Sequence, residues 1–175
     1  MKHKLLVILG STSTGKTDLA IELAKKFNGE LVSADSRQVY KHLDIGTGKL
    51  PGEFQTLEKH DNYWVIDGIK IWMTNVVSPE IRSNLYEYIL KAEEVINQII
   101  KEEKLPILVG GTGLYIRSIL EGVSDFGIDE NVKLREELES LDLEDLKNKI
   151  NEVDAIALKA LNNSDRSNKR RLIRL

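Results

Sequence analysis

Gly10-Ser11-Thr12-Ser13-Thr14-Gly15-Lys16-Thr17 completes the pattern G-x-x-x-x-G-K-[ST]. It follows the apolar run Leu5-Leu6-Val7-Ile8-Leu9 and leads into a helical pattern at Leu19, Ile21, Leu23, Ala24 and Phe27. Strand, glycine-rich turn and helix is the setting in which this pattern becomes a diphosphate cradle. The glycines let backbone N–H groups converge on phosphate oxygens, and the helix N-terminus adds partial positive charge. In such a loop Lys16 reaches the outer phosphate, and the Thr17 hydroxyl is placed to ligate Mg²⁺. An ordinary glycine-rich turn is the weaker reading, because every position of the pattern matches and both flanks are right.

On either side of the loop the chain reads as alternating strands and helices. A strand is expected over residues 4–9 and a helix from Thr17 to Phe27, closed by Asn28-Gly29. Glu30 to Ala34 then reads as a second buried strand that delivers Asp35 at its carboxyl end. Ligands of open α/β sheets sit at the carboxyl ends of the strands, so Asp35 should face the phosphate loop. Residues 36–60 look loop-rich, punctuated by Gly46, Gly48, Pro51 and Gly52. Tyr63-Trp64-Val65-Ile66 and Ile69-Lys70-Ile71-Trp72-Met73 flank Asp67-Gly68, which signals a tight hairpin. Leu85, Ile89, Ala92, Ile96 and Ile99 mark an amphipathic helix over about 83–104. The strand Leu105 to Val109 follows, ends in Gly110-Gly111-Thr112-Gly113, and opens a helix from Leu114 to Leu120. Residues 131–161 predict two or three further helical segments.

The expected fold class is α/β: a P-loop NTPase-like parallel sheet covered by helices, with a small helical insertion lobe. Three strong core strands are visible besides the hairpin, so an incomplete sheet is expected. The expected division is a core over 1–122, a helical lobe over 123–165 and a basic segment over 166–175.

Composition narrows the function classes. At 175 residues the chain is about one domain long, with 41% hydrophobic and 30% charged residues, ordinary for a soluble globular protein. The absence of Cys excludes disulfides and Cys-based zinc sites, and fits a cytoplasmic setting. The apolar start at residues 1–9 is too short for a membrane span, so no membrane partner is expected. The net charge of −3 means that a nucleic acid would need a local basic patch. Arg166, Lys169, Arg170, Arg171 and Arg174 form one, just after an acidic stretch between Asp129 and Asp154. On charge alone a solvated helix tail is the better explanation of that cluster. His3, His42 and His60 show no metal-ligand spacing, and Trp64 and Trp72 read as packing residues.

Several segments taken together resemble the tRNA dimethylallyltransferases. They are the phosphate loop itself, Ser33-Ala34-Asp35-Ser36-Arg37-Gln38-Val39-Tyr40, Leu43-Asp44-Ile45-Gly46-Thr47 and Gly110-Gly111-Thr112-Gly113-Leu114-Tyr115. Arg170-Arg171-Leu172-Ile173-Arg174 resembles the family's R-x-x-R segment that contacts tRNA. Full-length members are much longer, so a short or C-terminally truncated member is expected. The resemblance implies transfer of a dimethylallyl group from its diphosphate to N6 of adenosine 37, beside the anticodon, with Mg²⁺ assisting. It implies that the loop residues grip the diphosphate, and that Ser36, Arg37 and Gln38 contact the extruded nucleotide or its neighbours. It also implies that Arg170, Arg171 and Arg174 bind tRNA phosphates. A monomer is expected.

Two residues carry alternatives. Asp35 is a candidate base for the adenine amine, since accepting its proton as the C–N bond forms lowers the barrier. Its other role would be that of a Walker-B-like partner of Mg²⁺ or the phosphate loop. Thr112 would hydrogen-bond the adenine or hold Asp35, as the family's matching threonine does; on local sequence alone it is a helix N-cap. Two rival functions remain. A small-molecule or nucleotide kinase using ATP shares the loop and sheet, but no arginine-rich lid is evident between Asp61 and Lys104. A catalytically silent nucleotide- or tRNA-binding fragment is the other.

Overall fold

The computed structural model describes residues 4–52, 54, 56–81, 83–122 and 131–174. The chain divides into two compact units, Met1–Phe126 and Gly127–Leu175. His3, Asp129 and the expected start of the helical lobe lie outside the described residues.

The first unit runs β1 (Leu6–Leu9), α1 (Lys16–Phe27), β2 (Gly29–Ser33), β3 (Leu57–Lys59), β4 (Tyr63–Ile66), β5 (Ile69–Trp72), α2 (Leu85–Lys101), β6 (Leu105–Gly110) and α3 (Gly113–Glu121). Its strands form one sheet in the order β1-β6-β2-β5-β4-β3. β1, β6, β2 and β5 pair in parallel, with Leu6 opposite Ile107, Leu31 opposite Ile107 and Leu31 opposite Ile71. β4 pairs antiparallel with β5, as the expected hairpin requires, and with β3, which the sequence reads as loop. The cause is local. Asp67 and Gly68 join β4 to β5 with φ of 50° and 80°, the left-handed pair that a two-residue hairpin turn requires. β5 then offers its free edge to β2, so the hairpin extends the sheet and does not stand apart from it.

Both faces of the sheet are covered. Ala20, Ile21 and Ala24 of α1 pack with Leu31, Ile71, Ile107 and Val109 on one face. Ile89, Ala92, Ile96 and Ile99 of α2, with Ile116 of α3, pack with Val32, Trp72 and Leu108 on the other. Leu31 and Val32 are adjacent, so the pleat sends them to opposite faces. Each buried isoleucine of α2 contributes about 1.5–3 kcal/mol. That apolar stripe holds the helix in place more than its intrinsic propensity does.

The carboxyl ends of β2 and β6 are laced together. Ala34 N–H donates to Val109 O (2.8 Å), and Thr112 N–H donates to Ala34 O (3.0 Å). A Cβ at Gly110 would lie 2.1 Å from Ala34 O, so only glycine fits there. This crossing sets Asp35 beside Gly111 and Thr112.

The second unit contains α4 (Val132–Ser140), α5 (Leu143–Ala160), α6 (Asn163–Arg166) and α7 (Lys169–Leu172). Among its described residues Leu146 and Leu172 are the buried apolar side chains, and the Lys169 ammonium donates to the carbonyls of Glu139 and Leu141. α5 is kinked at Asp154 (φ −149°, ψ 84°), whose Oδ1 caps the restart by accepting from Ile156 N–H and Ala157 N–H. Among the described residues no helix is long and apolar enough to cross a membrane.

Candidate functional site

The loop between β1 and α1 turns through left-handed backbone at Ser13 (φ 63°) and Gly15 (φ 78°). Alternation of this kind points successive N–H groups into one concavity. The Thr14 hydroxyl donates to Ser11 O (2.8 Å), and the Lys16 ammonium bonds the same carbonyl, which lays the lysine across the loop. α1 starts on Gly15, which supplies no side-chain cap. α3 starts on Thr112, which is an N-cap by position but makes no capping bond; its Oγ1 instead accepts from Ser36 N–H (2.9 Å). The helix-cap alternative for Thr112 therefore fails on its bonding. α2, α4, α5, α6 and α7 differ, since each begins on an Asn or Asp whose side chain accepts a first-turn N–H. Among the described residues the two uncapped helix starts are those beside the loop and Asp35, where orphan N–H groups suit an anion.

Two cavities meet here. The first, of about 330 Å³, is lined by Thr12 to Asp18, Asp35, Gln38 and residues 48–52, with Ile71 and Val109 as apolar wall. The second, of about 360 Å³, is lined by Ser11, Thr12, Asp35, Ser36, Arg37, Gly46, Thr47, Gly111 and Thr112. Thr12 and Asp35 line both. Asp35 Oδ1 accepts from Arg37 N–H (2.9 Å); among the described residues Oδ2 accepts no hydrogen bond. One oxygen thus fixes the carboxylate while the other stays open to a ligand.

Neighbouring groups steady this wall. Ser33 Oγ donates to Gln38 Oε1 (2.7 Å), and Gln38 Nε2 donates to Gly48 O (2.8 Å) and Thr47 O (3.3 Å). From the α2 side the Tyr88 hydroxyl donates to Ser33 O (2.9 Å), and its ring stacks on Tyr115 with centroids 3.7 Å apart. Burial pushes both phenol pKa values up, so both stay neutral hydrogen-bonding groups.

Of the residues singled out from sequence, Gly10 to Thr17, Asp35 to Gln38 and Thr112 all belong to the first unit, and all but Gly10 line these cavities. Gly10 lies against the Lys16 side chain, within 3.4 Å of its Cδ as measured from an added Cβ. Arg170, Arg171 and Arg174 are exposed in the second unit, and Arg171 pairs with Asp165. Sequence reading missed Asp18, which accepts from Gly52 N–H (3.1 Å) on the first cavity's rim, and Tyr88 and Lys49. Lys49 follows Gly46 and Gly48 in a loop, and a lysine in a glycine-rich wall was the one available signal.

For Mg²⁺ the donor set fits. Thr17, Asp18 and Asp35 bring oxygen donors to the first cavity. Among the described residues no cluster of three His, Cys, Asp or Glu side chains forms a self-sufficient metal cage. Mg²⁺ normally takes one or two protein oxygens and completes its shell with water and substrate phosphate, so Thr17 with one carboxylate suffices.

A family model for IPP transferases matches residues 38–175. The tRNA dimethylallyltransferase of Streptococcus thermophilus (strain LMD-9) is 41% identical over 165 residues, covering 93% of this chain and 51% of that protein. The crystal structure of the full-length tRNA isopentenylpyrophosphate transferase from Bacillus halodurans superposes with a TM-score of 0.62 at 33% identity, covering 99% of this chain and 54% of that one. A eukaryotic dimethylallyltransferase acting on tRNA superposes with a TM-score of 0.74 at 30% identity, covering 99% of this chain and 40% of that one. The chain spans about half the length of the curated relatives it matches.

Proposed function

The chain belongs to the IPP transferase family, and on that footing we propose that it transfers a dimethylallyl group from dimethylallyl diphosphate to N6 of adenosine 37 in tRNA. The observation that carries this reading is the shared wall: Asp35 lines both the loop cavity and the neighbouring polar cavity. Diphosphate belongs against Ser11 to Thr17, where the α1 N-terminus and Lys16 favour negative charge. The dimethylallyl chain suits the apolar wall of Ile71 and Val109. The adenine belongs in the second cavity, among Ser36, Arg37 and Thr112.

In the transfer step the allylic C–O bond breaks and its electrons leave on diphosphate. The N6 lone pair forms the new C–N bond, and the amine proton passes to Asp35. Loop N–H groups and Lys16 stabilise the charge that grows on the leaving group. Mg²⁺, held through Thr17 and substrate oxygens, would supply further neutralisation of that charge. Extruding a base costs a few kcal/mol and least in a single-stranded loop, which favours an anticodon-loop adenosine. Residues 123–165 are read as part of the insertion that holds the anticodon loop, and Arg170, Arg171 and Arg174 as phosphate contacts. A monomeric state is part of the same reading.

Incubation with unmodified tRNA, Mg²⁺ and either dimethylallyl diphosphate or ATP tests the reading. Prenylated adenosine with release of pyrophosphate is expected. A phosphorylated product from ATP would mark a kinase instead, and tRNA retention with neither product would mark a silent binding fragment.

A further inference from the structure

Residues 41–52 wall both cavities without containing a helix or strand. The segment carries Gly46 and Gly48 at φ of 76° and 64°, and Ile45 at its tip is 97% exposed. Glycine-rich backbone with an apolar tip in water has little of its own to keep it extended. Besides the Gln38 bonds to Thr47 O and Gly48 O, a buried cation fixes it. The Lys49 side chain is 0% exposed although the residue lines the phosphate-loop cavity. Its ammonium donates to Tyr40 O (2.6 Å), Asn75 Oδ1 (2.6 Å) and Asp44 Oδ1 (3.0 Å). An ammonium has three donors, and these three acceptors use all of them.

The acceptors come from three places: the chain before the loop, the loop itself and the turn after β5. That turn is itself tied to the site, since Asn75 N–H donates to Gln38 O (3.2 Å). The second oxygen of Asp44 accepts from Lys59 (2.6 Å), and the Trp64 ring lies 5.6 Å from the Lys49 ammonium and 4.6 Å from that of Lys59. Burial pushes the Lys49 pKa down, while the Lys59 bond holds Asp44 below its ordinary value. Two lysines therefore line one cavity in opposite situations: Lys16 is partly exposed at the loop, and Lys49 has no N–H left for a phosphate.

We propose that Lys49 is a positioning residue for the nucleotide side of the reaction: its ammonium staples residues 41–48 to Tyr40 and Asn75, and so places Gly46 and Thr47 on the wall beside Asp35. The staple governs RNA affinity far more than diphosphate affinity, because the diphosphate is assigned to Ser11 to Thr17 and Lys49 has no N–H left to offer it. This rests on the proposed assignment of the two cavities to diphosphate and adenosine. Arginine is a poor replacement, because a planar fork with five donors does not fit an enclosed site with three acceptors.

The test compares wild type, Lys49→Met and Lys49→Arg by three measurements: amide hydrogen exchange over 41–48, calorimetric titration with inorganic pyrophosphate, and binding of an anticodon stem–loop RNA. Lys49→Met is expected to speed exchange at 41–48 by about tenfold or more and to weaken RNA binding by a similar factor. Pyrophosphate affinity is expected to stay within about twofold, and Lys49→Arg is expected to restore neither property. Unchanged exchange at 41–48 overturns the proposal, as does a loss of pyrophosphate affinity matching that of RNA. If Lys49→Met does not fold, Asp44→Asn, which weakens the same staple, must loosen the same amides. Failure of wild type to bind pyrophosphate or RNA would count against the assigned function, and the exchange measurement would still decide the staple.

Discussion

Near the amino end of β2, Glu30 is 5% exposed and closed on both oxygens. Oε2 accepts from Trp72 Nε1 (2.6 Å), and Oε1 accepts from Lys104 (2.6 Å) with Lys70 at 3.7 Å. Just past the carboxyl end of the same strand, Asp35 is partly buried, held by one backbone N–H, and open on its other oxygen. Both carboxylates sit on one β-strand axis, and they differ in what surrounds them. Glu30 joins strands through satisfied bonds, and a buried carboxylate needs that satisfaction. Asp35 keeps one oxygen without a hydrogen bond among the described residues, on the wall of both cavities. The helix starts tell the same story, since the two without side-chain caps are the two beside Asp35.

Substitutions at the two ends should therefore separate chemistry from stability. Asp35→Asn keeps the shape and removes the proposed proton acceptor. Single-turnover transfer is expected to fall about 10²–10⁴-fold, with pyrophosphate affinity within about twofold; an unchanged rate would remove Asp35 from the base role. Lys16→Ala removes a charged hydrogen-bond donor and should raise the pyrophosphate dissociation constant about 10–100-fold. An equal constant in calorimetry would make the loop match idle. Gly110→Ala would force a Cβ against Ala34 O and pull the two strand ends apart. A loss of about 3 kcal/mol in urea unfolding is expected, and a fully stable variant would mean that this crossing is looser than its geometry.

The smallest effect belongs to the amino end. Lys104→Met should cost about 1–2 kcal/mol, because Lys70 and Trp72 still face Glu30, and it should leave pyrophosphate binding untouched. The Glu30 bond raises the Lys104 pKa from its ordinary 10.5. A raised cation stabilises the fold below its unfolded value and loses that contribution as pH climbs through the folded value. Wild type should thus lose additional stability on the alkaline side of pH 10.5, and Lys104→Met should not. Parallel alkaline limbs for the two proteins would show that the pair is not formed in solution.

The sequence made readable whatever is set by neighbours along the chain. The phosphate loop, the Asp67-Gly68 hairpin, the stripe of α2 and the exit of β2 into Asp35 all follow from local spacing. β3 escaped because three residues with one apolar side chain, Leu57, carry no measurable alternation. The attachment of the hairpin to β2 escaped because a hairpin signal says nothing about which strand its free edge joins. Within the site, the hidden parts are long-range. Tyr88 meets Ser33 across 55 residues, Thr112 meets Ser36 across 76, and Lys49 meets Asn75 across 26. No local pattern announces such pairs. The kink at Asp154 was hidden likewise, since its side chain caps the helix from a position that reads as helix interior.

The proposed position of Asp35 between two ligands is open to direct observation through the carbon-13 carboxyl resonance of that residue. Titration with inorganic pyrophosphate alone, and separately with an anticodon stem–loop carrying the target adenosine, should each shift it, while the carboxyl of the helix cap Asp142 stays fixed under pyrophosphate. A resonance that answers to one ligand only, or to neither, would contradict a carboxylate shared by both cavities.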